Sequence, residues 1–183
     1  MKTALVVLGV LLAAADLYSQ QDAPSGCQSA VRTFLSAPDE AKLFALDKSG
    51  CSTVIRSSNE NLNRLNQSVK AGNQWAAQYS AEHVKELDGG NLEDALTALG
   101  QFSNRNMTRF LLFAKDGVLS ERELGDALTM LPLSLSDDPD AQLKVLKHRR
   151  SKVVSVTRKD LMQQRSQALA AIDGFMSEIR SNR

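Results

Sequence analysis

Eight residues near the C-terminal end carry the strongest local charge in the chain. Lys144, Lys147, His148, Arg149, Arg150, Lys152, Arg158 and Lys159 lie between Asp140 and Asp160 with no acid among them. Seven fixed positive charges in such a span suit an anionic surface: an acidic protein face, phospholipid headgroups or a nucleic-acid backbone. The same residues also suit a solvated helix face paired with acids elsewhere in the chain. Acids are there to pair with, in Glu82, Glu86, Asp88, Glu93 and Asp94 and in the stretch from Asp116 to Asp140.

Other chemistry-bearing residues form no constellation. The two histidines, His83 and His148, belong to no His-x-x-x-His or Glu-x-x-His pair of the kind that helical metal sites need. No nucleophile elbow, phosphate-cradling glycine loop or dinucleotide fingerprint is present. The sequence therefore predicts no catalytic residue, no metal site and no cofactor, and the enzyme question leans to the negative. A small hydrolase or lyase would have to bring scattered carboxylates such as Glu82 and Glu86 together with a histidine in a cleft. Asp116-Gly117 through Glu123 has the outline of the second half of a calcium-binding loop, but Leu112 and Ala114 fall where two liganding carboxylates belong. Ser120 and Glu123 read instead as a capping box.

Cys27 and Cys51 are the only cysteines. An even count in an exported chain predicts a disulfide bond, because an oxidising compartment lets one persist. Export is expected from residues 1–15: one positive charge at Lys2, an apolar run from Ala4 to Ala15 and small residues before Asp16 match a cleaved signal peptide. The run is too short for a bilayer span, which takes about 20 residues. Lys2 is the only charged residue within 1–15, so the mature chain balances its acids and bases and favours no nucleic acid. Extracellular (secreted) and periplasmic destinations stay open. Asn66 and Asn106 open the two glycosylation sequons that bear on this question.

The elements that must position these residues are helical. Aromatic residues make up 5% of the chain and prolines number 4, so the core must be aliphatic and the backbone is free to form helices. Residues 51–87 repeat apolar or small side chains every seven positions (Ile55, Leu62, Val69, Ala76, then His83), which predicts one long helix of about 55 Å. Asn59, Asn63, Asn66 and Asn73 then fall on or near a polar stripe, read as a solvated face. A short helix ending at Ala37 carries Val31, Phe34 and Leu35, and the next buries Leu43, Phe44 and Leu46. Asp88-Gly89-Gly90 is a turn. The phrase from Gly90 to Leu96 resembles the junction of paired helices in tetratricopeptide repeats; it covers a few residues, occurs once, and implies a tight helix hairpin only. Asn104-Arg105-Asn106 separates two further helices. Residues 139–180 carry the stripe Val154, Leu161, Ala168, Ile172, Phe175 and Ile179, and both one bent helix and two helices satisfy it; a kink would let Thr157 and Asp160 cap the second part.

The expected fold is all-α, a single bundle of about five to seven helices with its N-terminal segment clipped to the long helix by the Cys27–Cys51 disulfide. The expected organisation is a signal peptide over 1–15, a flexible leader over 16–26 and one α-helical domain over 27–183, with a sub-boundary at 132–139. The expected function is an exported, non-enzymatic protein binding a protein partner as inhibitor, immunity-type factor or adaptor. The alternative is an amphipathic protein that lies on an anionic lipid surface through residues 141–180.

Overall fold

The computed structural model describes residues 25–182. The signal peptide over 1–15 and most of the leader lie outside the described residues. Among the described residues nine α-helices account for the fold, and there is no strand. They are α1 (Ser25–Ser36), α2 (Glu40–Lys48), α3 (Ser52–Arg56), α4 (Asn59–Lys70), α5 (Gln74–His83), α6 (Gly89–Lys115), α7 (Glu121–Thr129), α8 (Pro139–Ser155) and α9 (Met162–Ser181). The first begins inside the segment read as a leader.

The count exceeds five to seven because the helix expected over 51–87 falls into three. Local chemistry makes the breaks. Ser58 caps α4 by accepting from the Asn61 amide, and Asn73 caps α5 by accepting from the amides of Trp75 and Ala76. Between them Gly72 takes φ +96°, a left-handed conformation that glycine adopts without penalty. The seven-residue seam survives these turns: Ile55, Leu62, Val69 and Ala76 are all buried. The asparagines are not one solvated stripe, since Asn66 is buried and Asn73 is a cap that also donates to the Pro38 carbonyl.

The central helix is instead α6, which packs against α4, α5, α7, α8 and α9. Its apolar residues Leu96, Leu99, Phe102, Phe110 and Leu111 are buried in one continuous core. The break expected at 104–106 appears as a kink inside this helix, where Asn106 has φ −130° and ψ 45°. The α4–α5 turn docks on that kink: Arg105 donates to the Ala71 carbonyl at 3.3 Å and Asn106 to the Gly72 carbonyl at 3.4 Å.

The disulfide joins Cys27 in α1 to Cys51 at the start of α3, with the Cα atoms 5.2 Å apart. Val31, Phe34 and Leu35 face inward as expected, but Phe44 is 67% exposed and only Leu43 and Leu46 of α2 are buried. The Ser120–Glu123 capping box forms with both arms, at 3.2 and 2.7 Å. Residues 139–180 form two helices. Thr157 and Asp160 do not cap the second, because the Asp160 carboxylate is taken by Arg158 and Lys115.

Candidate basic face and its surroundings

Six of the eight basic residues lie on α8 and two, Arg158 and Lys159, on the α8–α9 connection, and they separate into structural and solvent-facing groups. One helical turn decides the outcome, because successive residues are 100° apart and cannot all face water. Leu143, Leu146 and Val153 turn inward, and Arg149 lies on the same side, fully buried.

Arg149 serves the interior. Its Nη1 donates to the carbonyl oxygens of Leu128 (2.7 Å), Met130 (2.9 Å) and Ala127 (3.4 Å), which are left without intrahelical partners at the C-terminal end of α7. A guanidinium supplies parallel donors and remains cationic, so it complements the negative end of the helix dipole. Burial lowers its pKa to about 10. The site admits the guanidinium because Gly100 of α6 has no side chain: a Cβ there would lie 2.3 Å from the Ala127 carbonyl oxygen and 2.8 Å from Arg149 Nη2.

Two more cations are engaged at the surface. Arg150 makes a two-point contact with Asp173 of α9, at 2.7 and 3.2 Å. Arg158 does the same with Asp160, whose other partner is Lys115 at 2.6 Å. The Asp160 carboxyl is held below the usual carboxylate range, first by Arg158 and then by Lys115. Lys144, Lys147, His148, Lys152 and Lys159 have no ion-pair partner among the described residues. Lys144, Lys147, His148 and Lys152 share the outward face of α8. The expected face of eight therefore reduces to these four, with Lys159 apart from them on the α8–α9 connection, and Arg149 does not belong to it.

Two cations outside the expected eight, Arg105 and Arg109, are brought beside Lys152 by the fold. They lie one turn apart on α6 and join Lys152 at a cleft of about 490 Å³ between the kink and the end of α8. The Asn-Arg-Asn break at 104–106 marked the spot; nothing in the sequence linked it to Lys152.

His83 stands in a separate cluster. Its ring packs against Tyr79 with centroids 4.5 Å apart, and Nδ1 lies 2.9 Å from Arg56 Nη1 and 3.1 Å from Glu86 Oε1. These two contacts exclude one another, since Nδ1 must offer a lone pair to the first and a proton to the second. Arg56 pairs directly with Glu86 at 2.6 Å. The Glu86 carboxyl is held below its ordinary range, chiefly by the His83 hydrogen bond. Buried Tyr79 donates to the Ser52 carbonyl at 2.6 Å, and burial raises its pKa. The arrangement ties α3 to the end of α5. None of the clefts at α1–α4, α2–α5, α7–α9, α6–α7 or α6–α8 is lined by His83 or His148. No group of three or more metal-ligating side chains occurs among the described residues.

The sequons fare no better as surface features. Asn66 is buried, and the Asn106 amide is bonded to the Gly72 carbonyl. No protein-family model, curated protein or solved structure matches the chain.

Proposed function

We propose that the protein is an exported, non-enzymatic helical protein that binds an acidic surface of another protein through the outward face of α8, as an inhibitor, immunity-type factor or adaptor does. The observation that carries this reading is the division of labour among the basic residues. Arg149, Arg150 and Arg158 are used internally, whereas Lys144, Lys147, His148 and Lys152 form a row about 12 Å long, at 1.5 Å per residue, without acidic partners among the described residues. Desolvation of lysine without a compensating charge is unfavourable, so a partner covering this row would supply carboxylates.

Export is supported by the short apolar N-terminal run, by the Cys27–Cys51 disulfide, and by the fact that no described helix is long and apolar enough to cross a membrane. The lipid-surface alternative keeps the charge but loses its apolar half. Of the stripe that would enter a bilayer, Leu161, Ala168, Ile172 and Ile179 are buried in the bundle, Phe175 is partly buried and only Val154 is exposed, at 48%.

Cross-linking and capture from the native extracellular or periplasmic fraction tests the proposal, using the wild type beside a Lys144→Glu/Lys147→Glu variant. A stoichiometric protein partner recovered by the first and lost by the second is expected. Recovery of no such partner, or equal recovery by both, would overturn it.

A further inference from the structure

We infer that the cleft at the α6 kink anchors an acidic peptide segment of the partner by receiving a carboxylate together with an adjoining apolar side chain. This rests on the reading of α8 as the partner-facing surface and assigns the end of the lysine row a specific role. Lys152, the last cation of that row, is also one wall of the cleft, and Arg105 and Arg109 form the other. Thr108 and Ser155 add hydroxyls, and no residue lining the cleft is acidic. Three cations without a carboxylate, in a chain whose basic and acidic residues nearly balance, leave positive charge to be met from outside.

Arg105 has donors to spare; Arg109 adds positive charge at the wall, its buried Nε being out of a ligand's reach. Arg109 gives Nη2 to Gln78 at 3.1 Å, while its Nε is buried without a hydrogen-bond partner. Its guanidinium lies 5.4 Å from the centre of the Phe113 ring and 6.0 Å from that of Trp75, so it is held in place by aromatic faces and not by an acid. Arg105 makes one long bond, 3.3 Å, to the Ala71 carbonyl. Planar guanidinium groups match the two oxygens of a carboxylate. Met107, Leu112 and Val156 give the same cleft an apolar lining, and Met107 and Val156 are nearly fully buried. A volume of about 490 Å³ has room for more than a carboxylate alone. An anionic group next to an aliphatic one fits both features; a purely charged strand uses only the first.

Trp75, the only tryptophan in the chain, lines the separate α2–α5 cleft and adjoins this one only through Arg109, so binding is followed by calorimetry. The probe is a short synthetic peptide alternating glutamate and leucine, titrated at low salt into the full mature protein. Saturable binding in isothermal titration calorimetry is expected. Arg105→Glu and Lys152→Glu should each weaken binding about tenfold, and more than Lys144→Glu does. Arg105→Gln replaces Arg105→Glu if circular dichroism shows the latter to be misfolded, and is expected to weaken binding less. An all-glutamate peptide should bind more weakly than the alternating one.

Several results would overturn the inference. Absence of saturable binding is one, and undiminished binding by the cleft variants is another. Equal affinity for the two peptides would remove the apolar half of the claim. Binding to phosphatidylglycerol vesicles without binding to either peptide would transfer the cleft to lipid. Any of these with partner capture still sensitive to Lys144→Glu/Lys147→Glu leaves the α8 reading standing and removes only the anchor.

Discussion

The two ends of the described chain are held down by different means. The N-terminal quarter, α1 to α3, is secured by a covalent bond and by the Arg56–His83–Glu86 cluster with Tyr79 beside it. The α8–α9 hairpin has no covalent tie. It relies on an apolar stripe and on one buried arginine seated in the end of α7. A polar group placed between elements is therefore structural at both ends. On α8, however, it sits one residue away from cations that face water. A basic run in a sequence is thus a mixture, and packing decides which member is structural and which faces water.

The comparison predicts that a single residue matters more to the C-terminal hairpin than the covalent bond does to the N-terminal quarter. Arg149→Ala should be the most damaging change. It empties a buried site and strands carbonyl groups at the end of α7, for a loss of about 4 kcal/mol in urea unfolding. Removing the disulfide with Cys27→Ser/Cys51→Ser should cost about 3 kcal/mol by the same measurement. If the second loss clearly exceeds the first, the ranking of the two anchors is wrong. Gly72→Ala forces an alanine into φ +96° against the kink and should cost about 1 kcal/mol or more. Lys144→Glu/Lys147→Glu lies at the other extreme, with a change within about 0.5 kcal/mol, because neither lysine is used by the fold.

The pH response sharpens the contrast. Asp160 joins α6 to the α8–α9 turn through Lys115, and its pKa is depressed by Arg158 and Lys115. A depressed carboxyl stabilises the fold above its unfolded pKa and loses that effect as pH falls through the acid range. An NMR titration should find the Asp160 carboxyl below ordinary aspartates, and Lys115→Ala should move it upward. No movement would mean that Lys115 does not contribute to the link.

Much of the fold was legible because burial repeats with helical spacing. Val31, Phe34, Leu35, Ile55, Leu62, Val69, Leu161 and Ile172 all go inside. The same periodicity misled over continuity. Inward positions can recur every seven residues through tight turns, so Ile55 to Ala76 looks unbroken although Ser58 and Asn73 cap new helices within it. The asparagines and Gly72 held the correction, since these residues favour caps and turns over helix interiors. The candidate site was less legible. Arg149 and Arg150 are adjacent and chemically identical, and nothing local says that one enters the core. That depends on Gly100, 49 positions earlier, leaving room for it. The junction of Arg105 and Arg109 with Lys152 is a tertiary product of the same kind.

The Cys27–Cys51 bond encloses all of α2 and most of α1 in a covalent ring, and the connection at Ala37-Pro38-Asp39 lies inside it. A protease that cuts this connection opens the ring without releasing either fragment. On a denaturing gel the nicked protein would keep its full mass until a reductant is added, because the disulfide keeps α1 attached to the bundle.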